Sequence, residues 1–595
     1  MKVFISRSCI VFVFIALLTG CGEGRKPAEM VYDRFEEDLV TLMARNEDFL
    51  GKVRSGSSKE ELQEEFIALR LQYKKVEGFA EYFFPSTIRL VNGAPLDEVE
   101  DEENAIFEPG GFQVIEELIY TDEKIDHEEL VRHVRKTQVN IKRMKTLWED
   151  IQFTDSHVFD GLRLELFRLI TLGISGFDTP ASGNALEEGQ VVLQSVRDYL
   201  DIYSDKIPQG DSLNKQIEAS IDFLKKAKDF NSFDRAAFIT EHINPLCRLL
   251  HKSQQQASIP FIKDRKMLSS RVATLFDEGA FQPEALVSNE QFAATSGRIE
   301  LGKRLFFEVK LSGNGKTSCG SCHQPALAYS DGMKTSMGTG NLNIKRNAPT
   351  ITYASLQQSL FYDLRSPSLE DQAADVIHNK DEMHGSLSDM VRLIASDESY
   401  KKAFMAAYPK LDSVQPVYIQ NALATFVRSL SPFNAPFDQY MRGEKRALTD
   451  DQFAGFNLFM GKAKCGTCHF MPLFNGTVPP DYQRTESEVL GVTVNADWKH
   501  PQIDSDKGRG AHNKFPQWQH AFKTSSLRNI AKTAPYMHNG ALTTLDEVME
   551  FYNEGGGAGL GLQVENQTLA PDKLNLTSAE MRKVVLFMES LNDAK

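Results

Sequence analysis

The pentapeptide Cys-x-x-Cys-His occurs twice in this chain and constrains its fold more than any other feature. The two copies span Cys319–His323 and Cys465–His469. Two thiols at this spacing can add across the two vinyl groups of a haem while the adjacent imidazole reaches the iron. A thioredoxin-like redox pair or half of a zinc ribbon does not require a His after both pairs. We therefore predict two covalently bound c-type haems, held by Cys319, Cys322, His323, Cys465, Cys468 and His469.

The first 21 residues have the features of an export signal. Lys2 and Arg7 give a basic start, and the apolar run from Ile10 to Leu18 is too short to span a bilayer. The run ends in Leu-Thr-Gly-Cys, which resembles a bacterial lipoprotein processing site with Cys21 as the lipidated residue. An ordinary cleaved signal or a short membrane anchor is the alternative. We expect a lipoprotein anchored at Cys21 on the periplasmic side of a bacterial membrane.

Length and charge narrow the class of protein. A chain of 595 residues is too long for one core and should hold three or four domains. Its net charge of -15 argues against a nucleic-acid partner and favours a basic protein partner or none. Outside the leader and the two motifs only Cys247 remains, so we expect no structural disulfide.

The region from about Pro27 to Lys266 is predicted to be a bundle of antiparallel helices. Apolar residues recur there at intervals of three and four, and acidic or Gly/Pro breaks separate the periodic segments. The clearest predicted helices are 36–49, 59–82, 127–150 and 186–203.

The rest of the chain reads as an internal duplication. In each unit an aromatic-rich helix precedes the haem motif and an amphipathic helix follows it. The matching segments are 302–307 with 455–460 and 423–430 with 584–591. Capping boxes at Thr449 and Thr577 start two helices of the second unit, and 432–436 connects the units. We expect a mainly α fold, with the N-terminal bundle followed by two cytochrome c-like haem domains.

Many separated motifs around both haem sites resemble the bacterial dihaem cytochrome c peroxidase and MauG family. In chain order they are 301–307, 311–312, the first haem motif, 330–332, 346–350, 382–383, 526–530 and 533–540. The resemblance covers about 281–591 and implies an enzyme, a haem-dependent peroxidase. Together with the leader and the helical bundle, it divides the chain into a signal peptide (1–21), a helical domain (22–270), a peroxidatic haem domain (271–440) and an electron-transfer haem domain (441–595).

The resemblance implies a catalytic group at the first haem. Glu382 stands where the family keeps its distal carboxylate, which can move the protons of hydrogen peroxide; a solvated charge at a helix start is the alternative. Tyr362 occupies the inter-haem position where the family usually has Trp. No His lies between His323 and His378, where many relatives have a displaceable His ligand, so the first haem is either open or capped by another residue. We favour an open, high-spin site that needs no reductive activation.

The resemblance also suggests ligands at two further sites. Counting from the family's Tyr-x-His-x-Gly motif places Tyr552 as the sixth ligand of the second haem, as in MauG, with Met537 or Met549 as the alternative. An anionic oxygen ligand lowers the haem potential, whereas a thioether raises it. A calcium ion between the haems is implied at oxygen ligands of Asn347, Thr533 and Pro535; Asn347 could instead only cap a turn.

A second, weaker resemblance concerns the helical domain alone. Gly111 to Glu116 is similar to the Gly-x-His-x-x-Glu signature of the imelysin-like family, but Gln113 stands where the His is expected. The loss of that imidazole favours a docking or structural role over metal or peptidase chemistry.

Three functions follow from these expectations. The favoured one is reduction of hydrogen peroxide to water with electrons from a small periplasmic cytochrome c. The alternatives are a MauG-like enzyme that oxidises a protein or organic donor through high-valent iron, and a dihaem electron carrier without enzyme activity. The sequence does not identify the donor, and a homodimer is one of the assemblies that it leaves open.

Overall fold

The computed structural model describes residues 25–100, 105–263, 266–287, 289–410 and 412–594. Over these residues the chain is mainly α-helical, as predicted, with two short antiparallel pairs of strands. Among the described helices, none combines the length and the apolar character needed to cross a bilayer. The predicted leader and Cys21 lie outside the described residues, so the lipoprotein site stays a prediction.

The N-terminal region consists of helices joined by short turns, which makes sequential neighbours antiparallel. One hairpin, β1 (Glu98–Glu100) with β2 (Ala105–Phe107), interrupts them. The α-helices described here are α1 (Pro27–Ser55), α2 (Lys59–Phe83), α3 (Pro85–Asn92), α4 (Phe112–Tyr120), α5 (His127–Trp148), α6 (Asp155–Thr171), α7 (Ala185–Asp201), α8 (Gly210–Lys226), α9 (Arg235–Ala237) and α10 (Asn244–Gln256).

Local chemistry explains where the long helices begin and end. Pro27 sits in the first turn of α1, where its missing N–H costs nothing, and Gly56 ends the helix with a φ of 71°. The Ser58 side chain caps α2 by accepting the backbone N–H of Glu61. Asp126 caps α5 in the same way. These caps place the turns between neighbouring helices.

The two haem-motif regions contain the remaining helices. The first holds α11 (Ser296–Phe306), α12 (Cys319–Cys322), α13 (Leu369–His378), α14 (Leu387–Ser396), α15 (Glu398–Ala407) and α16 (Pro416–Arg428). The second holds α17 (Pro436–Met441), α18 (Asp450–Met460), α19 (Leu545–Asn553), α20 (Gly556–Gly559) and α21 (Ser578–Glu589). It also contains β3 (Ser487–Val489), which pairs antiparallel with β4 (Ala521–Lys523).

The predicted duplication is visible in two equivalent helix crossings. A Cβ atom on Gly302 of α11 would lie 1.9 Å from the carbonyl oxygen of Ala422 in α16. At the equivalent crossing, a Cβ atom on Gly455 of α18 would lie 2.0 Å from the carbonyl oxygen of Lys583 in α21. Each pair of helices therefore approaches closely because a glycine lies at the crossing, and each haem motif follows the first helix of its pair.

Both predicted capping boxes are confirmed. Thr449 and Gln452 bond reciprocally at the start of α18, and Thr577 and Glu580 do the same at the start of α21. These boxes fix the first turns of the two helices that cross at Gly455.

The helical region and the second haem region share one hydrophobic core, which also includes Tyr353 and Leu356, whereas most of the first haem region packs around a core of its own. The ring of Phe177 meets that of Phe470 edge to face, with centroids 6.0 Å apart. The side-chain oxygen of Asn457 accepts the backbone N–H of Arg235 at 2.9 Å. Since Phe470 directly follows His469, the helical region is in contact with the second haem motif.

Candidate active site

The first haem motif presents two thiols and an oriented imidazole. The helical turn Cys319–Cys322 carries both thiols, and neither is in a disulfide. The Nδ1 atom of His323 lies 3.0 Å from the carbonyl oxygen of Tyr329. A carbonyl can only accept, so Nδ1 carries the proton and Nε2 is left as the free lone pair. Burial lowers the pKa of His323, which keeps the ring neutral.

The second motif repeats this arrangement. Cys465 and Cys468 are both free thiols on a short turn. Nδ1 of His469 lies 3.3 Å from the carbonyl oxygen of Phe474, which again leaves Nε2 available. Burial lowers the pKa of His469 to about 4. The Phe474 ring packs against Phe587 of α21, which links the imidazole to the helix crossing.

The residues of both motifs suit the c-type haems that their spacing implies. A c-type haem needs two reduced thiols and one neutral imidazole with a free nitrogen. Both motifs supply that set, and each imidazole is held by a backbone carbonyl. The residues therefore fit two covalently attached haems. The remaining thiol described, Cys247, is buried in the helical region, where burial raises its pKa to about 12.

Glu382 lies beside the first motif, shortly after α13. Burial is the main cause of the raised pKa of both Cys319 and Cys322, and the charge of Glu382 adds to it in each case. Burial raises the pKa of Glu382 itself, against the opposing effects of Arg365 and of the Asn379 amide. That amide donates a 2.7 Å hydrogen bond to Oε1 of Glu382. The carboxyl group is thus half-buried and held in place, unlike a freely solvated charge at a helix start.

Tyr362 lies at the junction of the two haem regions. Its hydroxyl donates to the side-chain oxygen of Asn347 at 3.3 Å. Its carbonyl oxygen accepts the backbone N–H of Lys523, on β4 of the second region, at 2.7 Å. Burial raises the pKa of the Tyr362 phenol. The side chain and the backbone of this one residue therefore contact both regions.

A cluster of charged residues surrounds this junction, and the sequence reasoning did not single it out. Arg346 makes a two-point ion pair with Asp506 and a third bond to Asp363, at 2.6 to 2.9 Å. Arg365 and His512 also bond to Asp363. Asp506 and His512 lie 160 and 149 positions from their partners Arg346 and Asp363, so only the folded chain brings these groups together.

Tyr552 lies on α19 and is half-buried. Burial is the largest cause of the raised pKa of its phenol, and the charges of Cys468, Cys465 and Glu488 add to it. Met549 is buried on the same helix, and Met537 is half-buried with a φ of 70°. Glu488 was not predicted because the strand β3 that carries it has no recognisable motif. Burial raises the pKa of Glu488 to about 7, and its side chain bonds to Thr568 and Cys468.

The three positions proposed for calcium come from two segments that the fold brings together. The backbone N–H of Asn347 donates to the carbonyl oxygen of His538 at 2.8 Å, next to the segment that contains Thr533 and Pro535. The Asn347 amide nitrogen donates to the carbonyl oxygen of Met333 at 2.8 Å. Amide and carbonyl oxygens suit a hard cation. The donor set therefore fits calcium, whose binding stays a prediction.

In the helical region, residues of the imelysin-like segment make hydrogen bonds to neighbouring backbone groups. Gln113 donates to the carbonyl oxygen of Asn92 at 3.0 Å, and Glu116 accepts the backbone N–H of Ser182 at 2.9 Å. Nearby, the buried ammonium group of Lys74 bonds to carboxylates, with shortest N–O distances of 2.7 Å to Glu77 and to Asp178 and 3.3 Å to Glu188. A side-chain cation thus lies among these carboxylates.

Comparison with known proteins identifies relatives for about half of the chain. The family model described as di-haem cytochrome c peroxidase matches residues 296–446. The cytochrome-c peroxidase IdrP2 of Denitromonas iodatirespirans is 34% identical over 317 residues, which cover 51% of this chain and 83% of that protein. The methylamine utilization protein MauG of Methylorubrum extorquens is 31% identical over 312 residues, covering 52% and 82%. The cytochrome c551 peroxidase of Nitrosomonas europaea is 34% identical over 294 residues, covering 49% and 79%.

Proposed function

The chain belongs to the di-haem cytochrome c peroxidase family and is a haem-dependent oxidoreductase; from that premise we propose that it reduces hydrogen peroxide to water with electrons from a small periplasmic cytochrome c. The reaction consumes two electrons and two protons for each peroxide and yields two waters. When bound, the haems supply iron that takes peroxide at the first site and accepts electrons at the second.

The protein residues supply orientation, protons and a route between the sites. His323 and His469 would hold their haems through Nε2, because their Nδ1 atoms donate to carbonyl oxygens. Glu382 takes one proton from peroxide and returns it to the departing oxygen, while Asn379 keeps the carboxylate in position. Tyr362 relays electrons between the haem regions that it contacts.

The observation that carries this proposal is the position of Glu382. A half-buried carboxyl group that Asn379 holds in the first haem region can act on a molecule at that haem, whereas an electron carrier has no need of one. Burial also moves the pKa of Glu382 toward neutral pH, which suits a group that must both take and release a proton.

Two measurements test the proposal. Optical and electron paramagnetic resonance spectra of the resting protein report the number of haems and their spin states. We expect two haems, one of them high-spin, and steady peroxide-dependent oxidation of reduced cytochrome c. Two low-spin haems without peroxide turnover would leave the electron-carrier hypothesis.

A MauG-like reaction is the second candidate, and the position of Tyr552 favours it. A phenolate ligand lowers the potential of the second haem, which supports oxidation of a protein or organic donor. Under this hypothesis peroxide reacts with the protein, but reduced cytochrome c is not turned over. The same assay therefore separates the two candidates.

Further parts of the proposal concern assembly and location. We propose that residues 271–440 form the peroxidatic domain and 441–595 the electron-transfer domain, with the helical domain, 22–270, serving as a docking or structural unit. Calcium at Asn347, Thr533 and Pro535 would tie the two haem regions together.

Export and a lipid on Cys21 would place the protein on the periplasmic side of a membrane. A homodimer is a further possibility, and light scattering measures the mass of the assembly in solution.

A further inference from the structure

A row of aromatic rings leads from the surface to Tyr552 at the second haem site. The rings of Trp498 and Phe551 have centroids 6.0 Å apart, and those of Phe551 and Tyr552 are 5.7 Å apart. Phe551 is 1% exposed, whereas Trp498 is partly exposed. The row therefore runs from the partly exposed Trp498 to Tyr552, the residue predicted to ligate the second haem.

The surface end of this row has a proton acceptor. The indole Nε1–H of Trp498 donates to Oε2 of Glu550 at 3.2 Å, and Glu550 is exposed. An indole that loses an electron becomes a far stronger acid at its nitrogen. A carboxylate already bonded to that nitrogen can take the proton at once, which lowers the free energy needed to oxidise the ring.

The other two tryptophans of the chain do not combine partial exposure with a carboxylate bonded to the indole nitrogen. Trp148 is fully buried in the helical region and stacks on Tyr32 at 4.7 Å. Trp518 is 6% exposed, and the guanidinium carbon of Arg509 lies 3.5 Å from its ring centroid. A cation over the ring stabilises the neutral indole and opposes the removal of an electron. Trp498 is thus the tryptophan whose surroundings favour oxidation.

We propose that Trp498 is a surface redox site at which an electron-donor protein, a small cytochrome c, delivers electrons to the second haem site. This inference rests on the proposed peroxidase function, which supplies hydrogen peroxide as the oxidant. Trp498 gives one electron inward past Phe551 and its indole proton moves to Glu550. The reduced donor then returns one electron to the ring, and the proton returns from Glu550. Two such cycles supply the two electrons that one peroxide consumes.

The first test compares two identical substitutions. W498F removes the oxidisable ring but keeps an aromatic side chain, and W518F makes the same change at the tryptophan covered by Arg509. We expect the rate of peroxide-dependent oxidation of reduced cytochrome c to fall by about tenfold or more in W498F and to stay within about twofold in W518F. The haem absorption spectrum of each variant checks that both haems are retained. Equal rates in W498F and the unaltered protein would overturn the inference.

A second readout does not depend on turnover. Protein labelled with ring-deuterated tryptophan is mixed with peroxide in the absence of a donor and frozen. We expect a radical signal in the electron paramagnetic resonance spectrum that narrows on deuteration and is missing from W498F. A deuterium-sensitive signal of undiminished size in W498F would contradict the assignment.

Two further variants separate the ring from its surroundings. W498Y restores an oxidisable ring and should recover part of the rate lost in W498F, whereas E550Q keeps the ring but removes the proton acceptor and should slow the donor reaction. If the unaltered protein fails to oxidise cytochrome c with peroxide, the proposed function itself is wrong. If it succeeds and W498F matches it, only the role of Trp498 is wrong.

Discussion

At the scale of single residues, the two haem motifs and Glu382 differ in how far sequence alone could define them. Covalent attachment requires a fixed spacing of thiols and imidazole, so all six motif residues could be identified from their pattern. Glu382 could be selected only by resemblance, because a carboxylate next to Asp381 has no spacing that distinguishes it. The structure adds the hydrogen bond from Asn379 and the partial burial of the carboxyl group.

Replacing Glu382 by Gln should slow peroxide turnover by about a hundredfold or more, because the amide cannot accept the proton. Stopped-flow mixing with peroxide measures this rate. In the unaltered protein the ionised form acts as the base, so the rate should rise with pH through the raised pKa of Glu382 and level off above it. An unchanged rate and pH profile in E382Q would remove Glu382 from the mechanism.

Replacing Tyr552 by Phe should change the absorption spectrum of the second haem and raise its reduction potential, because the oxygen ligand is lost. Spectroelectrochemistry measures both quantities, and M549L on the same helix is the matched control. If Y552F has an unaltered spectrum and M549L does not, the ligand is Met549.

The sequence could not reveal Glu488 or the ion cluster around Asp363. Glu488 reaches Cys468 because β3 pairs with β4, and Asp363 meets His512 across 149 positions of the chain. Such contacts depend on which backbone segments pair, and neither periodicity nor motif spacing records that.

At the scale of elements, three of the four predicted helices agree with those observed to within two residues at each end, whereas the predicted helix 36–49 is only the middle of α1 (Pro27–Ser55). Helix α2 spans Lys59–Phe83 against the predicted 59–82, and α5 ends at Trp148 against 150. Helix α1 begins at Pro27, nine residues earlier than predicted, because the first-turn proline and Glu29 support the earlier start. Helix ends are set by such caps more than by the apolar period.

Gly455→Ala should destabilise the protein by about 1–3 kcal/mol, because the added methyl group would collide with the backbone of α21. Thermal unfolding measures the change, and loss of haem signal from the second site should accompany it. Gly51→Ala is the control: this exposed position in α1 has no atom within 4 Å of the new methyl group. There the change should stabilise the helix by about 0.5–1 kcal/mol. Equal effects at both sites would show that the close crossing is unimportant.

At the scale of the whole molecule, the helical region and the second haem region behave as one packed body. The domain limits drawn from sequence separate them, but their buried apolar residues form a continuous cluster. Periodicity identifies the apolar face of each helix and leaves open which region that face will meet, so the shared core could not be predicted.

Phe177→Ala should therefore weaken the protein by about 1–3 kcal/mol and alter the spectrum of the second haem while leaving the first unchanged. The ring removed lies against Phe470, next to His469. Phe107→Ala, at a position 40% exposed in the same region, should change stability by less than about 0.5 kcal/mol. A spectral change at the first haem alone would contradict the described packing.

Cys21→Ser tests the location of the molecule. If Cys21 carries the lipid, the variant should move from the membrane fraction to the soluble periplasmic fraction, as measured by immunoblotting after cell fractionation. With an ordinary cleaved signal, the unaltered protein and the variant should both be soluble. With a retained leader, both should associate with the membrane.

The contact between Phe177 and Phe470 has a consequence for the energetics of charge transfer. It shields that flank of the His469 motif with hydrocarbon, so water dipoles there cannot reorient each time the charge at the site changes. If electrons pass through this site as proposed, the response comes mainly from fixed backbone groups such as the Phe474 carbonyl, which accepts from Nδ1 of His469. A small structural rearrangement per electron lowers the activation barrier for charge transfer, so the helical bundle would contribute to the rate without touching either reactant.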